Sequence, residues 1–426
     1  MCSGCRINEK LVTALVLLHI ILISCMGYWL YRSDGGMSRH VLVGLPLKIV
    51  SGLLLGLLYK HYYGHGDTWV FHQYALEVHG MGMADWLAYV LTGHTPNVEL
   101  AALQPRVGFF IRILSPFYLI SGGNYWLVSA YVSLLTFWSL WFFIRQCHLI
   151  FGHRLLFAIT FLYFPSVLFW TSGIVKETVA YACIVVIAAV CLQWVHGKPK
   201  WYHYIGLLVS LYVLYRLKYY YAGVFGMFAL LYSFLHWLRL TLREIKKWHL
   251  TLVFFLLLGM LTLGVSFIQP NLRLHRILEV MVENYHAFAA LSAPDHMVLF
   301  TDLTPDWLSV LGHSPKALFS GLFRPLPWEA VNSLQVIYSL ENLLIFVATI
   351  ASLCFLPKPM SRQSLINILI LLGLTVLLVT FLTLSAPNYG TLSRYRSVVL
   401  PFYLALIVYR IRVPESWLKG RFTSLH

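Results

Sequence analysis

One carboxylate and a scattered set of cations are the residues of this chain whose types and places could do chemistry. Asp67 follows Gly66 at the end of an apolar run. It opens the stretch 66–90, GDTWVFHQYALEVHGMGMADWLAYV, which is polar among runs that are almost wholly apolar. Arg106, Lys176, Arg324, Arg394 and Arg396 sit near the ends of other apolar runs, and three further acids, Glu77, Glu177 and Glu329, accompany them. Ionisable residues at or near membrane depth are costly, so they usually face a cavity or a partner. Cations in such places hold a phosphate or diphosphate, arginine through paired N–H donors and lysine as a point charge. A single carboxylate accepts the proton of an attacking hydroxyl as a general base. A lipid-linked phosphosugar meets both needs, with its apolar tail between helices and its head group at the membrane face.

Structural roles compete with each of these assignments. Aspartate after glycine is a good helix N-cap, a role compatible with catalysis. Glu77 falls on the polar face of a helix, where water alone accounts for it. Lys176 and Glu177 are adjacent, so they point about 100° apart on a helix and pair poorly with each other. The aromatic residues before Lys176 favour it as the functional member. Arg216 and Lys218, in YRLKYYY, are expected to snorkel to head groups. Arg394 and Arg396 serve equally as interfacial anchors, although positive charge on the outer face runs against the charge bias below. His61 and His65 are spaced i, i+4, but Gly64 between them weakens a helix. Cys2 and Cys5 form a lone CxxC with no second pair. No divalent metal or other cofactor is therefore favoured.

These residues need elements to position them, and composition says which. The chain is 59% hydrophobic and 11% charged, which marks a polytopic membrane protein that has the lipid bilayer as its first partner. A net charge of +15 would suit a nucleic-acid binder. The charges sit instead in short turns between apolar runs, so no nucleic acid is expected. The seven cysteines fall mostly inside or beside apolar runs and read as small core residues. The first apolar run is long and lacks a small-residue cleavage site, so no cleaved leader is expected.

Runs suited to spanning are 11–31, 41–59, 124–144, 154–170, 174–195, 203–217, 219–238, 248–268, 334–356, 364–385 and 397–413. At roughly twenty residues per span, the fold class is an all-α transmembrane bundle of about 11–12 helices. Residues 1–426 form one membrane domain, with two long loops, 60–123 and 269–333, on its active-site face. The run 107–120 is shorter and interrupted by Arg112, Ser115 and Pro116, which predicts a re-entrant or interfacial helix. If it spans instead, the N-terminus and Asp67 change sides. In the first long loop, Phe71, Tyr74, Ala75 and Val78 recur at i, i+3, i+4, i+7 and give one apolar helix face. His72, Gln73, Glu77 and His79 fall on the other, so this helix is expected to lie along the membrane surface. In the second loop, Leu272, Ile277, Leu278, Met281, Val282 and Tyr285 predict a helix near 272–290. Thr304-Pro305-Asp306 predicts the start of another, with proline in its first turn.

Orientation follows from the positive-inside rule. The tail and every second loop counted back from it carry sixteen Lys and Arg against three acids, Asp34, Glu244 and Glu415. That bias places the C-terminus in the cytoplasm and both long loops outside. The expected location is the inner (plasma) membrane of a bacterial-type cell.

Gly66-Asp67, the helix after it and the run 107–120 resemble the GT-C class of membrane glycosyltransferases. That class includes the protein O-mannosyltransferases and the aminoarabinose transferase of lipid A. In it, an acidic residue lies in the first long outer loop and helices parallel to the membrane follow. The stretches FPSVLFWTSGIVKE, LFRPLPWEA and GTLSRYRSVVLPF are also similar to bacterial membrane proteins identified as glycosyltransferases or polysaccharide polymerases. The resemblance implies that Asp67 is the catalytic base and that Lys176, Arg324, Arg394 and Arg396 bind the carrier phosphate. It also implies a polyprenyl-phosphate sugar as donor and a glycan, lipid or protein as acceptor. The chain departs from the class in three ways: an extra span precedes the Asp67 loop, there is no Asp-x-Asp motif, and no soluble outer domain follows.

The expectation is an inverting transferase with Asp67 as base. Two rivals stand beside it. A polymerase or ligase acting on lipid-diphosphate glycans would rely chiefly on the arginines. A lipid or glycan transporter would show inverted symmetry between its halves and charges at mid-membrane.

Overall fold

The structure is a computed structural model and describes residues 9–33, 38–64, 66–152, 154–242, 244–268, 270–354 and 360–411. Cys2, Cys5, His65 and the end of the run 397–413 lie outside the described residues. In chain order the helices are α1 (Glu9–Ser33), α2 (Ser38–His61), α3 (Asp67–His79), α4 (Met83–Thr92), α5 (Val98–Ala101), α6 (Pro105–Ile120), α7 (Tyr125–Phe151), α8 (Arg154–Ala158) and α9 (Pro165–Trp170). There follow α10 (Lys176–His196), α11 (Trp201–Thr241), α12 (Lys247–Ile268), α13 (Leu274–Ala290), α14 (Trp307–Phe323), α15 (Ser333–Cys354), α16 (Arg362–Ser385), α17 (Tyr389–Arg396) and α18 (Leu400–Ile411). Eight of them, α1, α2, α7, α10, α11, α12, α15 and α16, are long and apolar enough to cross a membrane. Among the described residues the extended pairing is a single isolated bridge, Met297 to Asn388. The protein is an all-α, polytopic integral membrane protein.

Four apolar runs fold differently from the sequence expectation. The run 154–170 is not one span: α8 leads into a turn of π-helix, Ile159–Tyr163, and α9 starts afresh at Pro165. Proline has no N–H to donate and forces its predecessor out of the helical region. Phe164 accordingly sits at φ −65°, ψ 125°. The runs 203–217 and 219–238 join into the 41-residue α11, whose backbone is non-helical at Lys218 (φ −149°, ψ 78°). At 1.5 Å per residue that is about 60 Å, twice a hydrocarbon core of about 30 Å. Two spans' worth of helix therefore meet at Lys218, where the sequence places a turn. The run 107–120 is unbroken: α6 carries on through Ser115 and Pro116. Its sixteen residues leave it shorter than the helices suited to spanning.

The chain divides into two compact units. Unit 1 comprises 1–145, 168–185 and 212–218. In it α3 packs on α6, with the Phe71 ring edge-on to Phe110 at 5.0 Å. The non-helical stretch 171–175 before α10 is fully buried. Backbone of this kind is tolerated at membrane depth only inside protein or along a cavity. Gly173 (φ +71°) presses so closely on α2 that a Cβ there would stand 2.9 Å from the Gly52 carbonyl oxygen. Lys48 of α2 donates to the Thr171 hydroxyl at 2.5 Å.

Unit 2 comprises 146–167, 186–211 and 219–426. The helix expected near 272–290 is α13, and it buries Leu278, Met281, Val282 and Tyr285 as its apolar pattern requires. These pack with Val298, Phe300, Leu384 and Tyr389 into one core, so the long loop is an ordered layer. Asp306 caps α14 by accepting the Ser309 N–H at 2.9 Å. Pro305 precedes that cap and does not occupy the first turn.

Candidate functional site

In unit 1 the first turn of α3 carries the carboxylate. Gly66 lies against the Tyr59 ring, where a Cβ would come within 2.2 Å of Cδ1. Any larger residue would have to push the Tyr59 ring aside. Gly66 is the N-cap position and Asp67 is the first helical residue. The cap role considered for Asp67 is therefore corrected. Its side chain is exposed, and a carboxylate in the first turn interacts favourably with the helix dipole. Behind it the aromatics pin α3 down. Trp69 stacks on Tyr125 at 4.3 Å and donates from Nε1 to the Gly56 carbonyl at 3.0 Å. Thr68 and Tyr125 share a hydroxyl–hydroxyl bond of 2.7 Å.

Lys176, the first residue of α10, is half-buried, with Nζ 4.9 Å from the centre of the Phe71 ring. It lies within electrostatic reach of Asp67, which attracts it, and of Arg106, which repels it. Arg106 is exposed in the first turn of α6. Asp67, Lys176 and Arg106 are thus brought together although more than a hundred residues separate the first two. Phe71, one turn along α3 from Asp67, is the ring that seats Lys176.

Glu177 attracts Lys176 more strongly than Asp67 does, but its hydrogen bond goes elsewhere. Its Oε1 accepts from Lys218 Nζ at 2.7 Å, and both side chains are buried. Lys218 therefore does not snorkel to head groups, and Glu177 is not free to bind substrate. The Arg216 guanidinium lies 4.9 Å from the Phe109 ring. Glu77 accepts from Asn97 Nδ2 at 3.3 Å, which ties α3 to the cap of α5. Arg112 spends its guanidinium on the Val90 and Leu91 carbonyls at the end of α4.

His72 does not lie on an open polar face. Its Nδ1 is hydrogen bonded to the Tyr118 hydroxyl at 2.8 Å, and its ring sits edge-on to Trp69 and Tyr125. Burial lowers the His72 pKa below its ordinary value and raises that of Tyr118. Sequence reasoning missed this aromatic bracket, although TW directly after Asp67 and YW at 125–126 were its signal.

In unit 2, Arg324 is held by Glu329. Nε donates to both carboxylate oxygens at 2.8 and 3.1 Å, and Nη2 stands 2.7 Å from Oε1. The Leu326 N–H adds a further bond to Glu329 at 2.8 Å. Burial works to raise the Glu329 carboxyl, but the bonds from Arg324 and the Leu326 amide outweigh it and hold the group below the usual carboxylate range. Arg396 is 2% exposed. It donates from Nη1 to the Gly321 and Leu322 carbonyls at 3.1 and 3.0 Å, and from Nη2 to Asn342 Oδ1. The expected phosphate role is thereby corrected for Arg396: its donors close the end of α14. Arg394 is half-buried, its guanidinium 5.2 Å from the Tyr395 ring.

Among the described residues no group of three or more His, Cys, Asp or Glu side chains is placed to hold a metal ion. Compared with protein-family models, with curated proteins and with solved structures, the chain finds no match in any of the three.

Proposed function

We propose that the protein is an inverting membrane glycosyltransferase that uses a polyprenyl-phosphate sugar. The observation that carries this reading is one exposed carboxylate, Asp67, with the half-buried Lys176 and the exposed Arg106 in electrostatic reach. The acceptor oxygen attacks the anomeric carbon, the bond from that carbon to the phosphate oxygen breaks, and the electron pair leaves with the phosphate. Asp67 takes the acceptor proton as the new bond forms. Lys176 and Arg106 oppose the charge that gathers on the phosphate, an effect worth several kcal/mol (about 2.7–4 for one such donor) in a preorganised site. The reading goes with Asp67 on the outer face of a bacterial-type inner membrane and a cytoplasmic C-terminus.

Less supports a polymerase working through the arginines of unit 2, because Arg324 and Arg396 already spend their donors on Glu329, Gly321, Leu322 and Asn342. The test is transfer by purified protein in proteoliposomes from a panel of polyprenyl-phosphate sugars. Asp67→Asn is expected to abolish transfer with unfolding behaviour unchanged. Full activity in that variant, with loss in Arg394→Ala, would transfer the assignment to the polymerase reading.

A further inference from the structure

Glu341 lies inside α15, a helix apolar enough to cross a membrane, and the site above does not use it. Its Oε2 accepts the Ser166 N–H at 2.9 Å. Its Oε1 is buried with no hydrogen-bond partner among the described residues, and the same holds for the Ser166 hydroxyl. Ser166 is 6% exposed and its side chain lies against the same carboxyl. Ser166 follows the π-turn Ile159–Tyr163 and the break at Pro165, and π-turns within helical segments frequently accompany functional positions.

The nearby cation is held apart. Arg396 acts on Glu341 electrostatically, yet no ion pair joins the two. Its Nη atoms are committed to Gly321, Leu322 and Asn342. Asn342 is fixed in turn by donating from Nδ2 to the Pro325 carbonyl at 2.9 Å. The Arg396 Nε–H is left buried and unpartnered. The other titratable groups on the elements packed here, among the described side chains, are Tyr338 and Cys354 on α15, Tyr403 on α18, His313 and Lys316 on α14, and the Arg324–Glu329 pair. Tyr403 bonds to Thr349, His313 and Lys316 bond to the Thr301 and Leu299 carbonyls, and Arg324 and Glu329 hold each other. Among the described charges, Arg396 is the one that acts on the Glu341 carboxyl.

A buried carboxylate with one oxygen unpaired is expensive, since a buried polar group without a partner loses its hydration and a charged one loses more. Two arrangements remove that cost. With a proton on Oε1, the carboxyl donates to the unpaired Ser166 hydroxyl. Without it, the Ser166 hydroxyl turns to donate to the carboxylate, and the unpartnered Arg396 Nε–H is a second buried donor beside it. We propose that Glu341 is a proton-binding site within the membrane-spanning part of unit 2, with the Ser166 hydroxyl reversing from acceptor to donor as the proton leaves and Arg396 steadying the charge that remains. The proposal is independent of the transferase reading.

The test is infrared difference spectroscopy on the full chain in nanodiscs, stepped between acidic and alkaline buffer. The carbonyl band of a protonated carboxylic acid is expected in the wild type, lost in Glu341→Gln, and moved to higher frequency in Ser166→Ala, which removes the acceptor. An unchanged band in folded Glu341→Gln overturns the proposal. Should that variant fail to fold, wild-type protein treated with dicyclohexylcarbodiimide decides the matter. This apolar reagent attacks protonated carboxyls from the hydrocarbon phase. A mass tag on the Glu341 peptide that disappears as pH is raised supports the site, and no tag at any pH overturns it.

Discussion

Lys218 Nζ lies 2.7 Å from Glu177 Oε1, with both side chains buried in unit 1. Lys218 is the residue at which α11 loses its helical backbone, and Glu177 is in the first turn of α10 beside Lys176. The pair fixes the Glu177 carboxylate on Lys218, while Glu177 and Asp67 both still attract the Lys176 amine. Removing one partner strands a buried charge, at a cost of about 3–5 kcal/mol. Glu177→Gln and Lys218→Met should each lower the unfolding midpoint in detergent sharply. The double variant should recover most of the loss, giving a large coupling in a double-mutant cycle. Additive losses would show that the contact contributes nothing.

Gly173 should tolerate no side chain. Its φ of +71° already costs an L-residue about 1–2 kcal/mol, and its Cβ would meet backbone, the Gly52 oxygen at 2.9 Å. Overpacking of that kind adds about 1–3 kcal/mol. Gly173→Ala is expected to lose folded protein on size-exclusion chromatography, whereas Gly82→Ala, where a Cβ meets open space, should be neutral.

The Arg324–Glu329 pair should make stability depend on pH at the acid end. The Glu329 carboxyl is held below its usual range in the folded state. Its contribution is therefore complete above the unfolded value, about 4.3, and is lost as pH falls through the lower folded one. The midpoint difference between wild type and Glu329→Gln should be present at neutral pH and close below about pH 4. A difference that persists unchanged into strong acid would mean that the charge is not what matters.

Arg396→Lys should be costly although it keeps the charge. A lysine cannot reproduce the fork that reaches Gly321, Leu322 and Asn342 together. Each orphaned buried acceptor costs about 1–3 kcal/mol. Unfolding measurements should place this variant well below Arg394→Lys.

Much of the fold was legible because its signals are local. α2, α7, α10, α12, α15 and α16 fall close to the apolar runs, since a run of about twenty apolar residues has no stable place but the membrane. The buried faces of α3 (Phe71, Ala75, Val78) and α13 (Leu278, Met281, Val282, Tyr285) follow from the helical period alone. The break within 154–170 is local too: Pro165 ends the helix inside a run whose hydropathy alone matches a single span.

The site was legible in residue type only. Asp67, Lys176 and Arg106 could be picked out as unusual charges, but their grouping depends on Phe71 seating the lysine. Glu177 finds its partner 41 residues away, and Arg396 closes a helix end 75 residues away. The sequence by itself determined that the chain is a helical membrane protein and where most helices run, because partition into hydrocarbon and helix periodicity act over one or two turns. Only the tertiary structure decided which charges are spent on one another. That choice rests on distances of a few ångströms between residues far apart in the chain.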